Sequence, residues 1–165
     1  MNFAQIREYD VANGPGIRVS FFVTGCTHKC YNCFNPEYQD FDFGDTWTKD
    51  TTKMIINYLN KDQISGLSII GGEPFQNAKD LTKIIKDIKK EVNKDIWVWS
   101  GYTFDEIIND QVKKELLEEI DVLVDGRFVE RLKDLTLKFR GSSNQRIIDV
   151  KKSLENDKIV LHYSN

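Results

Sequence analysis

The chain has 165 residues, 40% of them hydrophobic and 30% charged, with a formal net charge of -3. That length suits one domain with a core of its own, and the composition is that of an ordinary soluble globular protein. The acidic balance speaks against a general nucleic-acid binder, and no apolar run is long enough to span a bilayer.

The stretch from Met1 to Asp10 carries Arg7, Glu8 and Asp10 but no apolar h-region, so no signal peptide is expected. Ile17 to Gly25 is a β-rich run that ends at the first cysteine. Thr48 to Lys61 reads as a helix with Met54, Ile55, Tyr58 and Leu59 on one face. Leu67 to Ile70 is a short apolar strand closing in Gly71-Gly72. Asn77 is placed to cap the next helix, in which Leu81, Ile84, Ile85, Ile88 and Val92 keep helical spacing. Ile96 to Trp99 is a third strand, and Thr103 and Glu106 have capping-box spacing before another helical stretch. Asp121 to Val124 makes a fourth strand and Arg146 to Val150 a fifth.

Strands alternating with helices predict an α/β fold with a parallel sheet and right-handed crossovers. Eight βα units take about 250 residues, so the expectation is an incomplete, open (βα) barrel formed by residues 1–165 as one domain. The chemistry-bearing segments fall where strands end. The cysteine loop follows the first strand, Gly-Gly-Glu-Pro the second, Ser-Gly-Tyr-Thr the third and Asp-Gly-Arg-Phe the fourth. Parallel α/β folds carry their sites on that edge.

The chain's three cysteines are Cys26, Cys30 and Cys33, spaced Cys-x3-Cys-x2-Cys. Clustered thiols in a chain without export signals read as metal ligands in a reducing compartment, the cytoplasm, and not as a disulfide framework. Iron–sulfur clusters normally take four cysteines. A chain that supplies three leaves one iron open, which suggests substrate or cofactor chemistry at the metal. His28 lies between the first two cysteines, so a Cys3His zinc site is the alternative on donor type. Zinc sites usually recruit two separated ligand pairs, whereas these ligands crowd one loop.

Cys26-x3-Cys30-x2-Cys33 followed by Gly71-Gly72-Glu73-Pro74 resembles the radical S-adenosylmethionine (SAM) enzymes. Asn13-Gly14-Pro15-Gly16-Ile17-Arg18 resembles the Asp-Gly-Pro-Gly-Ile-Arg signature of glycyl radical enzyme activases, with asparagine in the first position. Trp99-Ser100-Gly101-Tyr102-Thr103, Asp125-Gly126-Arg127-Phe128 and Arg140-Gly141-Ser142-Ser143-Asn144-Gln145-Arg146 are similar to one branch, the activating proteins of the anaerobic ribonucleoside-triphosphate reductase. The resemblance runs from about Asn13 to about Asp149.

It implies a 4Fe-4S cluster on the three cysteines, with SAM chelated at the open iron. Reductive cleavage would give methionine and a 5′-deoxyadenosyl radical, which would take a hydrogen from a glycine of the reductase. The implied partners are that reductase and a reduced flavodoxin or ferredoxin-type electron donor. An activase of pyruvate formate-lyase is the nearest enzymatic alternative, and a small zinc-binding interaction module the non-enzymatic one.

Individual residues follow. Gly71 and Gly72 would let backbone approach the cofactor, with carbonyls accepting from the methionine ammonium and Glu73 adding negative charge; a plain strand-to-helix turn is the alternative. Backbone of Asn32, Cys33 and Phe34 would meet the adenine, although the aromatic common before the third cysteine is here Asn32. Arg127, beside Asp125, would pair with the methionine carboxylate or form a surface ion pair. Ser100 would contact the ribose or serve as a cap. Trp97 and Trp99 read as core. The lysines from Lys79 to Lys94 read as a solvated face or a dock for an acidic electron carrier, and Arg140 and Arg146 as candidates for partner recognition.

Overall fold

The computed structural model describes residues 1–162. Four strands run parallel side by side: β2 (Ile17–Val23), β4 (Ile64–Gly71), β5 (Asp95–Trp99) and β6 (Val122–Asp125). β1 (Asn2–Asp10) is antiparallel to β2, β3 (Asp45–Thr46) is antiparallel to β1, and β7 (Arg146–Asp149) is antiparallel to β6. The order is β3-β1-β2-β4-β5-β6-β7. β3 and β7 lie at opposite edges, so the sheet is mixed and open.

Two expectations need correction. The sheet is not wholly parallel, and β1 was not anticipated. A parallel return needs a long crossover. Between β6 and β7 the only helical piece is a short 3-10 turn at Glu130–Leu132, and the chain comes back antiparallel.

One face of the sheet carries Val19, Phe21, Val23, Leu67, Ile69, Ile96, Val98, Leu123 and Ile148. Against it pack Ile55 and Leu59 from α1 (Lys49–Leu59), Leu81, Ile85 and Ile88 from α2 (Ala78–Glu91), and Leu116 and Leu117 from α4 (Gln111–Leu117). The short α3 (Phe104–Ile108) precedes α4, and α5 (Val150–Asn156) follows β7. Thr48 caps α1 in a reciprocal box with Thr51, and Thr103 does the same for α3 with Glu106. Asn77 sits at the start of α2 without capping it. Its amide instead donates to the carbonyls of Thr24 and Glu73, tying the helix to the strand ends.

Because strand side chains alternate, Arg18, Ser20, Phe22, Ser68, Ile70, Trp97 and Trp99 point the other way. The lower part of this inner face is polar and closed by the glycine-rich segment before β2. Arg18 is 1% exposed and donates to Ser68 Oγ at 2.8 Å and to the Leu67 carbonyl at 2.9 Å. It also pairs with Asp95 at 2.9 Å, and its guanidinium lies 5.7 Å from the Trp97 ring. The buried Asp10 accepts from Ser20 at 2.6 Å and from Asn13 at 2.8 Å. The upper part of the inner face is apolar and leads to the carboxyl ends of the parallel strands.

Candidate functional site

β2 and β4 end side by side, with Val23 opposite Gly71. The Gly72 N–H donates to the Val23 carbonyl at 2.8 Å, and the Glu73 N–H to the Gly25 carbonyl at 2.8 Å. Gly71 has φ +111°, and a Cβ there would stand 2.3 Å from the Val23 oxygen. A Cβ on Gly72 would stand 2.7 Å from the carbonyl oxygens of both Gly25 and Tyr38. The chain's own backbone therefore demands both glycines.

The loop after β2 is tightly wound, with Lys29 at φ +54° and Asn32 at φ +53°. Asparagine tolerates that left-handed conformation far better than an aromatic residue does, which gives Asn32 a backbone reason. The three cysteines are half-buried free thiols. Burial, with Glu73 nearby, pushes the Cys26 thiol up to about 11, and burial also raises Cys30. A metal bound here must displace their protons.

A cavity of about 160 Å³ brings together Cys26, His28, Cys30, Cys33, Phe34, Gly71, Gly72, Glu73 and Ser100. It also takes in Asn35, Ile70, Trp99, Gly101, Gly126, Phe128 and Gln145, which the sequence reading did not single out for a site. Trp99 is the clearest miss. It lines the cavity and donates from Nε1 to the Phe139 carbonyl at 2.7 Å, whereas Trp97 is buried as expected. Asn32, Asp125 and Arg127 are not part of the lining. A larger cleft of about 600 Å³ adjoins, sharing Phe34, Asn35, Ile70, Trp99, Phe128 and Gln145. It extends over Arg7, Asn13, Phe22, Leu135, Phe139 and Arg140.

Glu73 is 0% exposed and fully occupied by the protein. Its Oε1 is bonded to His28 Nε2 at 2.8 Å and accepts from the Gly101 N–H at 2.7 Å. Its Oε2 accepts from the Phe75 N–H at 2.8 Å and from Ser100 Oγ at 2.9 Å. Glu73 thus organises three strand-end loops, and Ser100 Oγ is committed to Glu73 and to the Tyr102 N–H. Asp125, 1% exposed, forms a two-pronged pair with Arg146 at 3.0 and 2.6 Å and accepts from the Phe104 N–H at the start of α3. That pairing raises Arg146 above the ordinary guanidinium value. Arg127 donates from Nε to His28 Nδ1 at 3.2 Å. Gln145 accepts from the N–H groups of Gly141 and Ser142 and donates to the Gly126 carbonyl, folding the Gly-Ser-Ser-Asn-Gln segment against the end of β6.

The donor set can be tested against the implied cluster. Both ring nitrogens of His28 are engaged by Glu73 and Arg127, so His28 is not placed to be a zinc ligand. Among the described residues no three His, Cys, Asp or Glu side chains converge on a point as a single tetrahedral ion requires. A cubane spreads its irons over separate corners, so its thiolates stand further apart. Three half-buried thiols around one cavity fit that arrangement. No helix among the described residues is long and apolar enough to cross a membrane.

Residues 12–148 match the family model described as 4Fe-4S single cluster domain. The anaerobic ribonucleoside-triphosphate reductase-activating protein of Escherichia coli (strain K12) is 43% identical over 150 residues, covering 88% of this chain and 96% of that protein. The protein of that name from Enterobacteria phage T4 is 39% identical, covering 89% and 93%. The one from Haemophilus influenzae is 40% identical over 152 residues, covering 89% and 97%.

Proposed function

The chain belongs to the family of anaerobic ribonucleoside-triphosphate reductase-activating proteins, and on that premise we propose that it activates such a reductase by creating a glycyl radical in it. Cys26, Cys30 and Cys33 would hold the 4Fe-4S cluster, and SAM would bind at the iron they leave open. When bound, these groups would supply the one-electron reductive cleavage of SAM to methionine and a 5′-deoxyadenosyl radical. The cofactors carry that chemistry, and the protein places and shields it.

The backbone of Gly71 and Gly72 and the side chain of Phe34 would border SAM, since they line the cavity with the cysteines. The resemblance also assigns Asn32, Asp125 and Arg127 to the cofactor; Asn32 would do so through its backbone, whereas the contacts of Asp125 and Arg127 favour supporting roles. Asp125 holds Arg146 and the start of α3, and Arg127 holds His28. Residues 1–165 would work as one radical SAM domain in the cytoplasm, reduced by a flavodoxin or ferredoxin-type donor.

The observation that carries this reading is the continuity of the two cavities. The cysteine cavity shares six lining residues with a cleft of about 600 Å³ floored by Phe22, Ile70 and Trp99, which would give a loop of another protein its way in. Glycine suits abstraction because its radical is delocalised over the flanking amides and no side chain blocks approach. The test is anaerobic reconstitution followed by incubation with SAM and a strong reductant. Methionine and 5′-deoxyadenosine in equal amounts are expected. Protein that carries a 4Fe-4S cluster but leaves SAM intact would refute the reading.

A further inference from the structure

We propose that His28 is a positioning residue, a latch that holds the cysteine loop against the other strand-end loops in the arrangement that admits SAM to the cluster's open corner. The proposal rests on the reading above, that the three cysteines carry a cluster to which SAM binds.

His28 lies between Cys26 and Cys30 and lines the same cavity, but both of its ring nitrogens are taken up by protein groups. Arg127 has no acceptor to offer, so the 3.2 Å contact from its Nε makes His28 Nδ1 an acceptor. The ring proton then sits on Nε2 and is donated to Glu73 Oε1 at 2.8 Å. The two contacts together select one tautomer and one ring orientation. The ring also packs edge-on against Tyr102 at 4.5 Å, and its side chain is 5% exposed. A Cβ on Gly101 would stand 2.6 Å from it, so the absence of a side chain at that position makes room for the imidazole. One side chain thereby touches the loop after β4 through Glu73, the loop after β5 through Gly101 and Tyr102, and the loop after β6 through Arg127.

The cysteine loop has left-handed residues at Lys29 and Asn32 and ends in the exposed Phe34. The loop is also tied elsewhere: the Cys26 N–H donates to the Gln39 carbonyl at 3.0 Å, the Thr27 N–H donates to Gln76 Oε1 at 3.0 Å, Gln76 Nε2 donates to Thr27 Oγ1 at 2.7 Å, and the Phe34 ring packs on Phe128 at 4.7 Å. Without the imidazole, the buried Glu73 Oε1 would lose one of its two donors, and the stretch between Cys26 and Cys30 would lose a side chain that joins it to the loops after β4, β5 and β6. Groups that orient ligands without touching the metal commonly change affinity or activity by 10- to 100-fold.

The experiment uses the full chain, reconstituted anaerobically, as wild type, His28→Phe and His28→Gln. Phenylalanine keeps a ring against Tyr102 and removes both hydrogen bonds, whereas glutamine keeps a donor and an acceptor. Three quantities are read: iron and sulfide content, SAM affinity, and the change SAM makes in the electron paramagnetic resonance (EPR) spectrum of the reduced cluster. His28→Phe is expected to keep the iron and sulfide of the wild type while its SAM affinity falls about tenfold or more. The SAM-dependent spectral change should be lost at concentrations that saturate the wild type, and His28→Gln should restore most of it. Where His28→Phe does not fold, His28→Ala takes its place. Wild-type affinity in the phenylalanine or alanine variant overturns the latch. Loss of the cluster itself in that variant also overturns it, because His28 would then serve cluster retention. A wild-type protein with no cluster, or with a cluster that SAM does not perturb, overturns the functional reading and the latch with it.

Discussion

Gly72→Ala adds one methyl group where the protein has no room for it. The new Cβ would stand 2.7 Å from the carbonyl oxygens of both Gly25 and Tyr38, against roughly 3.4 Å for ordinary contact. Neither oxygen can swing aside. The Gly25 carbonyl accepts from the Glu73 N–H at 2.8 Å, and the Tyr38 carbonyl accepts from the Gly25 N–H at 2.8 Å. The methyl must therefore spread the ends of β2 and β4 apart. Overpacking of this kind costs about 1–3 kcal/mol, and weakening one of the backbone bonds adds about 1 kcal/mol. Urea denaturation of the cluster-free chain should show the midpoint falling by that amount at unchanged slope. The displaced segment leads directly into Cys26, so iron and sulfide uptake on reconstitution should fall as well. Wild-type stability and full cluster content, with a loss confined to SAM affinity, would refute the reasoning. Such a result would mean that the position faces the ligand and not the chain's own backbone.

Two further outcomes follow from the same geometry. Cys26→Ala, Cys30→Ala and Cys33→Ala should each abolish a stable 4Fe-4S cluster and all SAM cleavage, because the chain has no other cysteine to substitute; retained cluster absorption and sulfide in any of them would contradict the ligand set. Asp10 provides a pH test. Burial works to raise its carboxyl, but hydrogen bonds from Ser20, Asn13 and the Ala12 N–H, with Arg7 nearby, outweigh it and hold the group below its ordinary 3.8. A depressed value contributes stability that is fully present above the unfolded value and is lost as pH falls through the folded one. Asp10→Asn should therefore cost about 1–3 kcal/mol near neutral pH, and the gap to wild type should close as pH drops below 3.8. A gap that stays constant through that range would remove the charge from the explanation.

Much of the site was legible because its signals are local. Cysteine spacing and the punctuation at four strand ends can be read within a few residues, and the fold brings the cysteine loop, Gly71 to Glu73 and Ser100 around one cavity. What escaped was long-range. β1 has no clean alternation, since Gln5 and Arg7 interrupt its apolar residues, and its stability comes from pairing with β2. The antiparallel return of β7 did have a signal: no amphipathic helix lies between Asp125 and Arg146. The roles of Glu73 and Arg127 were invisible for a different reason. A carboxylate in a Gly-Gly-Glu-Pro turn can face a ligand or the protein, and only the positions of His28, Ser100, Phe75 and Gly101 decide which. Likewise, Arg127 finds its partner 99 residues away in His28, a separation that no local pattern encodes.

The measurement closest to the central claim is EPR spectroscopy of a class III ribonucleotide reductase from the same organism, incubated anaerobically with this protein, SAM and a reductant. The account predicts a glycyl radical signal that requires all three cysteines of this chain and disappears when the partner's target glycine is replaced by alanine. A cognate reductase that stays silent while a pyruvate formate-lyase acquires the radical would contradict it.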